Sequence, residues 1–202
     1  MLDGLARRLL DPTLARCGRM LARVGCSADV LTLTGLAAGL ACAGAIATGR
    51  DGMAFALLTA NRILDGLDGA VADATRRTDR GGFLDIVCDF AFYGAVPLSF
   101  ALRDPGLNAL PAAALLAAFY VNGASFLAFA ALAAKRGLSM APRGVKSITY
   151  TAGLAEGTET ILFFAAMILW PGFFASLAYA FAALTILSAL ARVALAWRTF
   201  AE

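Results

Sequence analysis

Long uncharged stretches dominate this sequence. Residues 105–134 and residues 160–191 contain no charged side chain, and each stretch exceeds the roughly 20 residues that cross the hydrocarbon core of a bilayer as a helix. With 60% apolar and only 15% charged residues, a water-soluble fold would leave too much apolar surface exposed. The chain is therefore predicted to be an all-α polytopic membrane protein.

Six transmembrane helices fit into the apolar stretches. Pro171-Gly172, directly after Trp170, is a turn signal that divides the last stretch into two helices. No internal repeat relates the two halves of the chain. A single membrane-embedded domain is predicted over residues 1–202, with the six-helix bundle in residues 28–198. The predicted helices occupy residues 30–49, 53–72 and 82–102, one lies within 105–134, and two lie within 160–191.

Residues 1–27 differ from the rest of the chain. Arginines interrupt the apolar positions throughout, so the segment does not resemble a secretory signal. It is predicted to form an amphipathic helix at the membrane interface, with leucines in the headgroup boundary and arginines facing anionic lipid. The net charge of +3 accordingly indicates contact with membrane lipids and not with nucleic acid. The arginines are Arg7, Arg8, Arg16, Arg19 and Arg23.

The distribution of lysine and arginine predicts the orientation. Fourteen of the 17 basic residues fall in the N-terminal segment, in the loops after the second and fourth helices, and near the C-terminus. The opposite side has only Arg50 and Arg103, and Arg62 lies inside the second helix. Because cytoplasmic loops carry the excess of basic residues, both termini and these two loops are predicted to be cytoplasmic, at the inner membrane if the source is bacterial.

Four aspartates lie where the second and third helices are predicted. Asp65 and Asp68 are about 60° apart around the axis of the second helix, and Asp85 and Asp89 are about 40° apart around the third. The second helix descends to the cytoplasmic side and the third rises from it, so the two pairs share a similar depth. The four carboxylates are predicted to converge at the cytoplasmic ends of these helices.

Converging carboxylates near hydrocarbon repel one another and lose solvation, so protons or cations must compensate for their charge. Ligands made only of oxygen favour a hard ion such as Mg²⁺, Mn²⁺ or Ca²⁺, and two ions would balance four negative charges. The alternative is a solvated helical hairpin in which the acids pair with Arg76, Arg77 and Arg80.

Small residues surround Asp68 on the second helix. A surface with little side-chain bulk would let a phosphate group approach a bound metal ion. A phosphate-bearing substrate is therefore predicted. The small residues are Gly66, Gly69, Ala70 and Ala72.

The segment 65–89 resembles the signature of the CDP-alcohol phosphotransferases, D-x2-D-G-x2-A-R-x8-G-x3-D-x3-D. The four aspartates, together with Gly69, Ala72 and Gly81, fall into place. In that family the signature lies at the cytoplasmic ends of the second and third of six helices, which agrees with the predicted topology.

Two departures distinguish this chain from the signature. Asp73 stands where the family has arginine, and the spacer from Asp73 to Gly81 is seven residues instead of eight. The deletion falls in the turn between the helices and leaves both aspartate pairs intact. Arg76, about one turn further on, could replace the missing arginine. Of the family's P-N-x-x-T motif at the first helix only Thr32 is retained, and Asp29 takes the place of the asparagine.

The resemblance implies transfer of a substituted phosphate from a CDP-linked lipid donor to an alcohol, with release of CMP. It implies Mg²⁺ or Mn²⁺ ions held by Asp65, Asp68, Asp85 and Asp89, which would bind the pyrophosphate and neutralise charge on the leaving CMP. Because the chain contains no histidine, Asp89 is the candidate general base. The resemblance also implies a homodimer. The candidate donor-binding residues are Asp29, Thr32, Gly69, Ala72, Asp73, Arg76 and Gly81.

The acceptor is less constrained. Glu156 and Glu159 at the start of the fifth helix are candidates for an acceptor pocket that takes a cationic alcohol such as serine, ethanolamine or choline. Arg62 is predicted either to brace the metal site through Asp65 or to pair with these glutamates. A basic patch could instead bind a phosphorylated alcohol; it comprises Lys135, Arg136, Arg143 and Lys146.

The principal hypothesis is phosphatidyl transfer from CDP-diacylglycerol to a small polar alcohol in phospholipid biosynthesis. One alternative keeps the chemistry but transfers phosphocholine or phosphoethanolamine from a CDP-linked head group to diacylglycerol. The other is a small cation transporter, whose acids should lie near the bilayer midplane on broken helices.

Overall fold

The computed structural model describes residues 3–138 and 157–201, with side chains from residue 11 onward within those ranges. Every described element is helical, which confirms the predicted all-α class. The helices are α1 (Asp3–Arg23), α2 (Ala28–Ala47), α3 (Asp51–Ala74), α4 (Asp79–Arg103), α5 (Pro105–Lys135), α6 (Gly157–Leu169) and α7 (Phe174–Thr199), with a short 3₁₀ helix over Pro171–Phe173. The predicted acceptor residues Arg143, Lys146 and Glu156 lie outside the described residues.

In the part of the chain that the structure describes, four helices are long and apolar enough to cross a membrane: α2, α4, α5 and the stretch Pro171–Thr199 that contains α7. The chain is an integral membrane protein of several apolar helices. Within its described residues α6 is shorter, at 13 residues. Every 18-residue stretch of α3 includes Arg62, Asp65 and Asp68. These charged side chains are the reason that α3 is not among the long apolar helices. All six predicted segments are helical, and the count of six crossings stays a prediction.

The predicted turn at Pro171 is confirmed. Helix α6 ends at Leu169, and the 3₁₀ turn reverses the chain before α7 begins at Phe174. Proline suits this position because its fixed φ favours the first turn of a helix and it needs no N–H donor there. The N-terminal segment is also helical as α1, although its position at the membrane interface remains a prediction.

Gly39 lets α2 pack closely against both α3 and α4. A Cβ atom on Gly39 would stand 3.2 Å from Asn61 Nδ2 and 2.6 Å from a ring carbon of Phe92, whereas one on Gly35 would make an ordinary 3.5 Å contact with Cβ of Leu64. Since the ring of Phe92 is only 1% exposed, it has no free space into which to retreat. The two residues form a small-xxx-small pair of the kind that permits close helix approach.

Polar contacts connect the helices away from these glycines. Arg103 at the end of α4 forms an ion pair with Asp51 at the start of α3. Arg192 on α7 donates to the side chains of Asn122 and Ser125 on α5, at 2.9 and 2.8 Å. In a low-dielectric setting such charge-assisted hydrogen bonds strongly favour one helix arrangement.

We expect Gly39→Ala to destabilise the bundle by about 1–3 kcal/mol, because the added methyl group overlaps the buried ring of Phe92. Gly44→Ala on the same helix is the matched control, since a Cβ there meets no atom within 4 Å. Thermal unfolding of the purified proteins in one detergent measures both. A Gly39→Ala midpoint equal to that of Gly44→Ala would contradict this account of the α2 contact.

Candidate active site

A short turn between α3 and α4 brings the two aspartate pairs together. Helix α3 ends at Ala74 and α4 begins at Asp79, where the Thr78 side chain caps α4 by accepting a 3.0 Å hydrogen bond from the Gly81 N–H. Threonine is a favourable N-cap because its oxygen satisfies an otherwise unpaired amide. The seven-residue spacer therefore accommodates an antiparallel pair of helices.

Three of the four predicted aspartates form a compact oxygen cluster. One carboxylate oxygen each from Asp65, Asp85 and Asp89 lies within 4.8 Å of the other two. The cavity beside them has a volume of about 10 Å³, which is close to the space that one water molecule needs. It is lined by Thr32, Gly35, Leu36, Asn61, Arg62, Asp65, Asp68, Asp85, Cys88 and Asp89.

Asp68 lines the same cavity but has a different environment. Its Oδ2 accepts a 2.6 Å hydrogen bond from Thr32 Oγ1 on α2, and the residue is only 7% exposed. Thr32 is the retained residue of the motif at the start of the first membrane helix, so that threonine supports an aspartate of the signature directly. Removal of the hydroxyl would leave a buried carboxylate oxygen without this donor.

Arg62 joins the cluster from α3. Its two terminal nitrogens lie 3.4 Å from Asp65 Oδ2 and 3.4 Å from Asp89 Oδ1. Of the two roles predicted for Arg62, bracing of the aspartates is the one that these contacts support.

Two buried neighbours hold the Arg62 guanidinium. Its Nε donates to Asn61 Oδ1 at 2.8 Å, and its central carbon lies 5.4 Å from the ring centroid of Phe92. Asn61 Nδ2 in turn donates to the backbone oxygen of Gly35 at 2.8 Å. The contact of a guanidinium with an aromatic face is favourable, and more so where water is excluded.

The candidate donor-binding residues fall into two groups. Thr32, Asp29 and Gly81 lie where α2 approaches the start of α4: an added Cβ on Gly81 would stand 3.4 Å from an Asp29 oxygen, and Asp29 pairs with Arg80. The other group follows the first aspartate pair, at the end of α3 and in the turn, and comprises Gly69, Ala72, Asp73 and Arg76.

The residue in the signature's arginine position forms an ion pair of its own. Asp73 accepts from Arg77, one helical turn away, beyond the predicted membrane segment 53–72. This hydrogen bond holds the pKa of Asp73 below its usual range. Arg76 is exposed, and within the described part of the chain it has no ion-pair partner.

The small residues around Asp68 serve two purposes, which corrects the interpretation that all of them clear space for phosphate. Gly66 and Ala70 face α1: a Cβ on Gly66 would stand 3.0 Å from a Leu14 methyl, and one on Gly18 would stand 2.7 Å from Ala70. Gly69, by contrast, has no atom within 4 Å of an added Cβ. Gly69 alone among these glycines borders open space.

The start of α6 approaches the same region. An added Cβ on Gly157 would stand 3.9 Å from the Tyr93 hydroxyl, and Tyr93 lies one helical turn beyond Asp89 on α4. Glu159 follows in the first turn of α6. One of the two predicted acceptor glutamates therefore lies on the helix that faces the active-site end of α4.

Sequence reasoning did not identify four residues of this region: Asn61, Cys88, Phe92 and Tyr93. Asn61 carried a usable signal, since a polar amide directly before Arg62 in a membrane segment needs a partner. The other three carried none, because aromatic and cysteine side chains are ordinary in a helix core.

The oxygen cluster suits a hard divalent cation. Carboxylate oxygens are the ligands that Mg²⁺ and Mn²⁺ prefer in proteins, and Asp65, Asp85 and Asp89 are close enough to share one ion. Ion binding would offset the mutual repulsion of carboxylates in a region partly screened from water.

Two comparisons with known proteins match most of the chain. The family model for CDP-alcohol phosphatidyltransferase matches residues 26–196. The inner membrane protein YnjF of Escherichia coli (strain K12) is 46% identical over 193 residues, covering 96% of this chain and 94% of that protein.

Solved structures share the fold. The phosphatidylinositol phosphate synthase PgsA1 of Mycobacterium tuberculosis with CDP-DAG bound has a TM-score of 0.70 and 23% identity, over 91% of this chain and 93% of that one. Its apo form has a TM-score of 0.61 and 24% identity, over 89% and 94%. The match to the family model over most of the chain shows that this protein belongs to the CDP-alcohol phosphatidyltransferase family.

Proposed function

We propose that this protein transfers a phosphatidyl group from CDP-diacylglycerol to a small polar alcohol and releases CMP. The observation that carries the proposal is the cluster of Asp65, Asp85 and Asp89, with Asp68 beside it, on the family's signature. The CDP-DAG donor is further suggested by the M. tuberculosis synthase of the same fold, which was solved with that lipid bound.

The four aspartates are the proposed ligands for Mg²⁺ or Mn²⁺, and two ions would match their charge. When bound, such ions neutralise negative charge on the pyrophosphate and on the departing CMP. The donor set consists only of carboxylate oxygens, and three of its members approach within 4.8 Å. Both features fit a hard divalent ion.

Asp89 is the proposed general base. Its carboxylate would accept the proton of the acceptor hydroxyl while the alcohol oxygen attacks the phosphatidyl phosphorus and the bond from that phosphorus to CMP breaks. The side chain is 31% exposed, so a hydroxyl group can reach it. The absence of histidine from the chain leaves carboxylates as the principal candidates for this role.

The donor is proposed to lie against the end of α3 and the start of α4. Support comes from the open space at Gly69 and from the exposed Arg76 in the turn. We propose that this end is cytoplasmic, because the positive-inside bias favours that side for the basic loops. We further propose that residues 1–202 form a single domain, that α1 lies at the membrane interface and that the protein is a homodimer.

The acceptor is proposed to bind near Glu159 and Glu156, where a cationic group such as that of serine, ethanolamine or choline would find opposite charge. A phosphorylated alcohol on the basic patch is the competing possibility. Family membership argues against a cation transporter, whereas transfer of a phosphocholine or phosphoethanolamine group to diacylglycerol remains a candidate within the family.

Asp68→Ala should lower metal-dependent CMP release by more than about 100-fold, because a Lewis acid contributes several kcal/mol to such a step and 1.4 kcal/mol corresponds to a tenfold rate change. Asp11→Ala is the control, since Asp11 is an exposed acid on α1. Incubation of purified protein with CDP-diacylglycerol, Mg²⁺ or Mn²⁺ and a panel of alcohols provides the assay. Near-normal release by a folded Asp68→Ala protein would disprove the metal-site assignment.

Arg76→Ala should raise the KM for CDP-diacylglycerol by about tenfold or more, the cost of one charge-assisted hydrogen bond. Arg77→Ala should have a much smaller effect, because Arg77 is engaged by Asp73. Donor titrations at saturating acceptor compare the two variants. If both leave KM unchanged, Arg76 has not replaced the arginine of the signature.

Glu159→Gln should raise the KM for a cationic acceptor and leave the KM for CDP-diacylglycerol intact, the pattern of lost ground-state binding. The measurement varies serine, ethanolamine and choline at fixed donor concentration. The protein could instead use only glycerol phosphate or inositol phosphate, with Lys146→Ala rather than Glu159→Gln raising the KM for that acceptor. This result would show that the acceptor binds at the basic patch.

A further inference from the structure

We propose that Arg62 is a positioning residue that orients the carboxylate of Asp89 for proton transfer. This inference rests on the proposed function, in which Asp89 is the general base. It assigns Arg62 neither to the acceptor pocket nor to the metal ligands.

The geometry of the guanidinium supports this role. One terminal nitrogen lies 3.4 Å from Asp65 Oδ2 on the same helix, and the other lies 3.4 Å from Asp89 Oδ1 on α4. A planar fork that contacts two carboxylates restricts the rotation of both. Each carboxylate retains its second oxygen, which stays available for an ion or a proton.

The guanidinium is itself held in place by its neighbours. Asn61, 3% exposed, accepts from Nε of Arg62 and donates to Gly35 on α2. Phe92, 1% exposed, lies under the guanidinium from α4. Helices α2, α3 and α4 thus all contribute to the position of one cation, as expected of a group that orients its partners.

The positive charge of Arg62 separates its role from that of a metal ligand. A cation beside Asp65 and Asp89 repels a divalent ion, so its removal should not weaken ion binding through charge. Its removal should, however, free the Asp89 carboxylate to rotate. Loss of turnover without loss of metal binding is therefore the expected signature of Arg62→Gln.

The test compares Arg62→Gln, Arg62→Lys and Arg103→Gln with the wild-type protein. Arg103 also forms an ion pair between α3 and α4, with Asp51 at their opposite ends, so its variant controls for loss of a helix-to-helix contact. The measurements are Mn²⁺ affinity by electron paramagnetic resonance, thermal midpoint, and CMP release from CDP-diacylglycerol with the alcohol that supports turnover.

Arg62→Gln should lower kcat by about 10–100-fold, the usual effect of removing an orienting partner. The Mn²⁺ affinity should not fall by more than threefold, and the KM for CDP-diacylglycerol should stay within threefold of wild type, a limit set at about 0.6 kcal/mol. Arg62→Lys should recover part of kcat, and Arg103→Gln should retain all of it. This split between kcat and binding is not expected from a general loss of packing.

Three results would overturn the role of Arg62: a wild-type kcat in Arg62→Gln, a parallel loss of Mn²⁺ affinity, or failure of both Arg62 variants to fold. The second would make Arg62 an organiser of the metal ligands, and the third would make it a packing residue. Absence of metal-dependent CMP release from the wild-type protein would instead overturn the proposed function itself.

Discussion

The approach of Asp65, Asp85 and Asp89 to within 4.8 Å is the constraint on which the rest of the structure depends. Carboxylates this close repel one another, and partial removal from water increases the cost. The surrounding side chains offset part of that cost. Arg62 bridges Asp65 and Asp89, and Thr32 donates to Asp68. A divalent cation would offset more of it.

Helix α2 makes this approach possible although it contributes none of the four aspartates. Gly39 allows α3 and α4 to pack against it closely, and Gly35 contacts α3. The same two positions reach the site through Asn61 and Phe92, which hold the Arg62 guanidinium. Helix packing and site geometry therefore use the same residues, so a substitution that widens the α2 contact should also disturb the aspartates.

The departures from the family signature lie where they do little harm to the aspartate cluster. The shortened spacer lies in the turn that Thr78 caps, outside both aspartate pairs. Asp73, in the arginine position, is neutralised by Arg77 on the exposed end of α3.

The sequence by itself determined the helical class, the helical segments, the turn at Pro171 and the convergence of aspartates, because these follow from hydropathy and from residue spacing around a helix axis. Only the tertiary structure decided what each helix face meets. Gly66 looks as suitable as Gly69 for a phosphate, yet α1 covers it. Arg62 had two sets of possible partners, and among the described residues it contacts Asp65 and Asp89. The spacing of residues along the sequence predicts the direction in which each side chain leaves its own helix. The residue that it contacts in that direction depends on how all the helices pack.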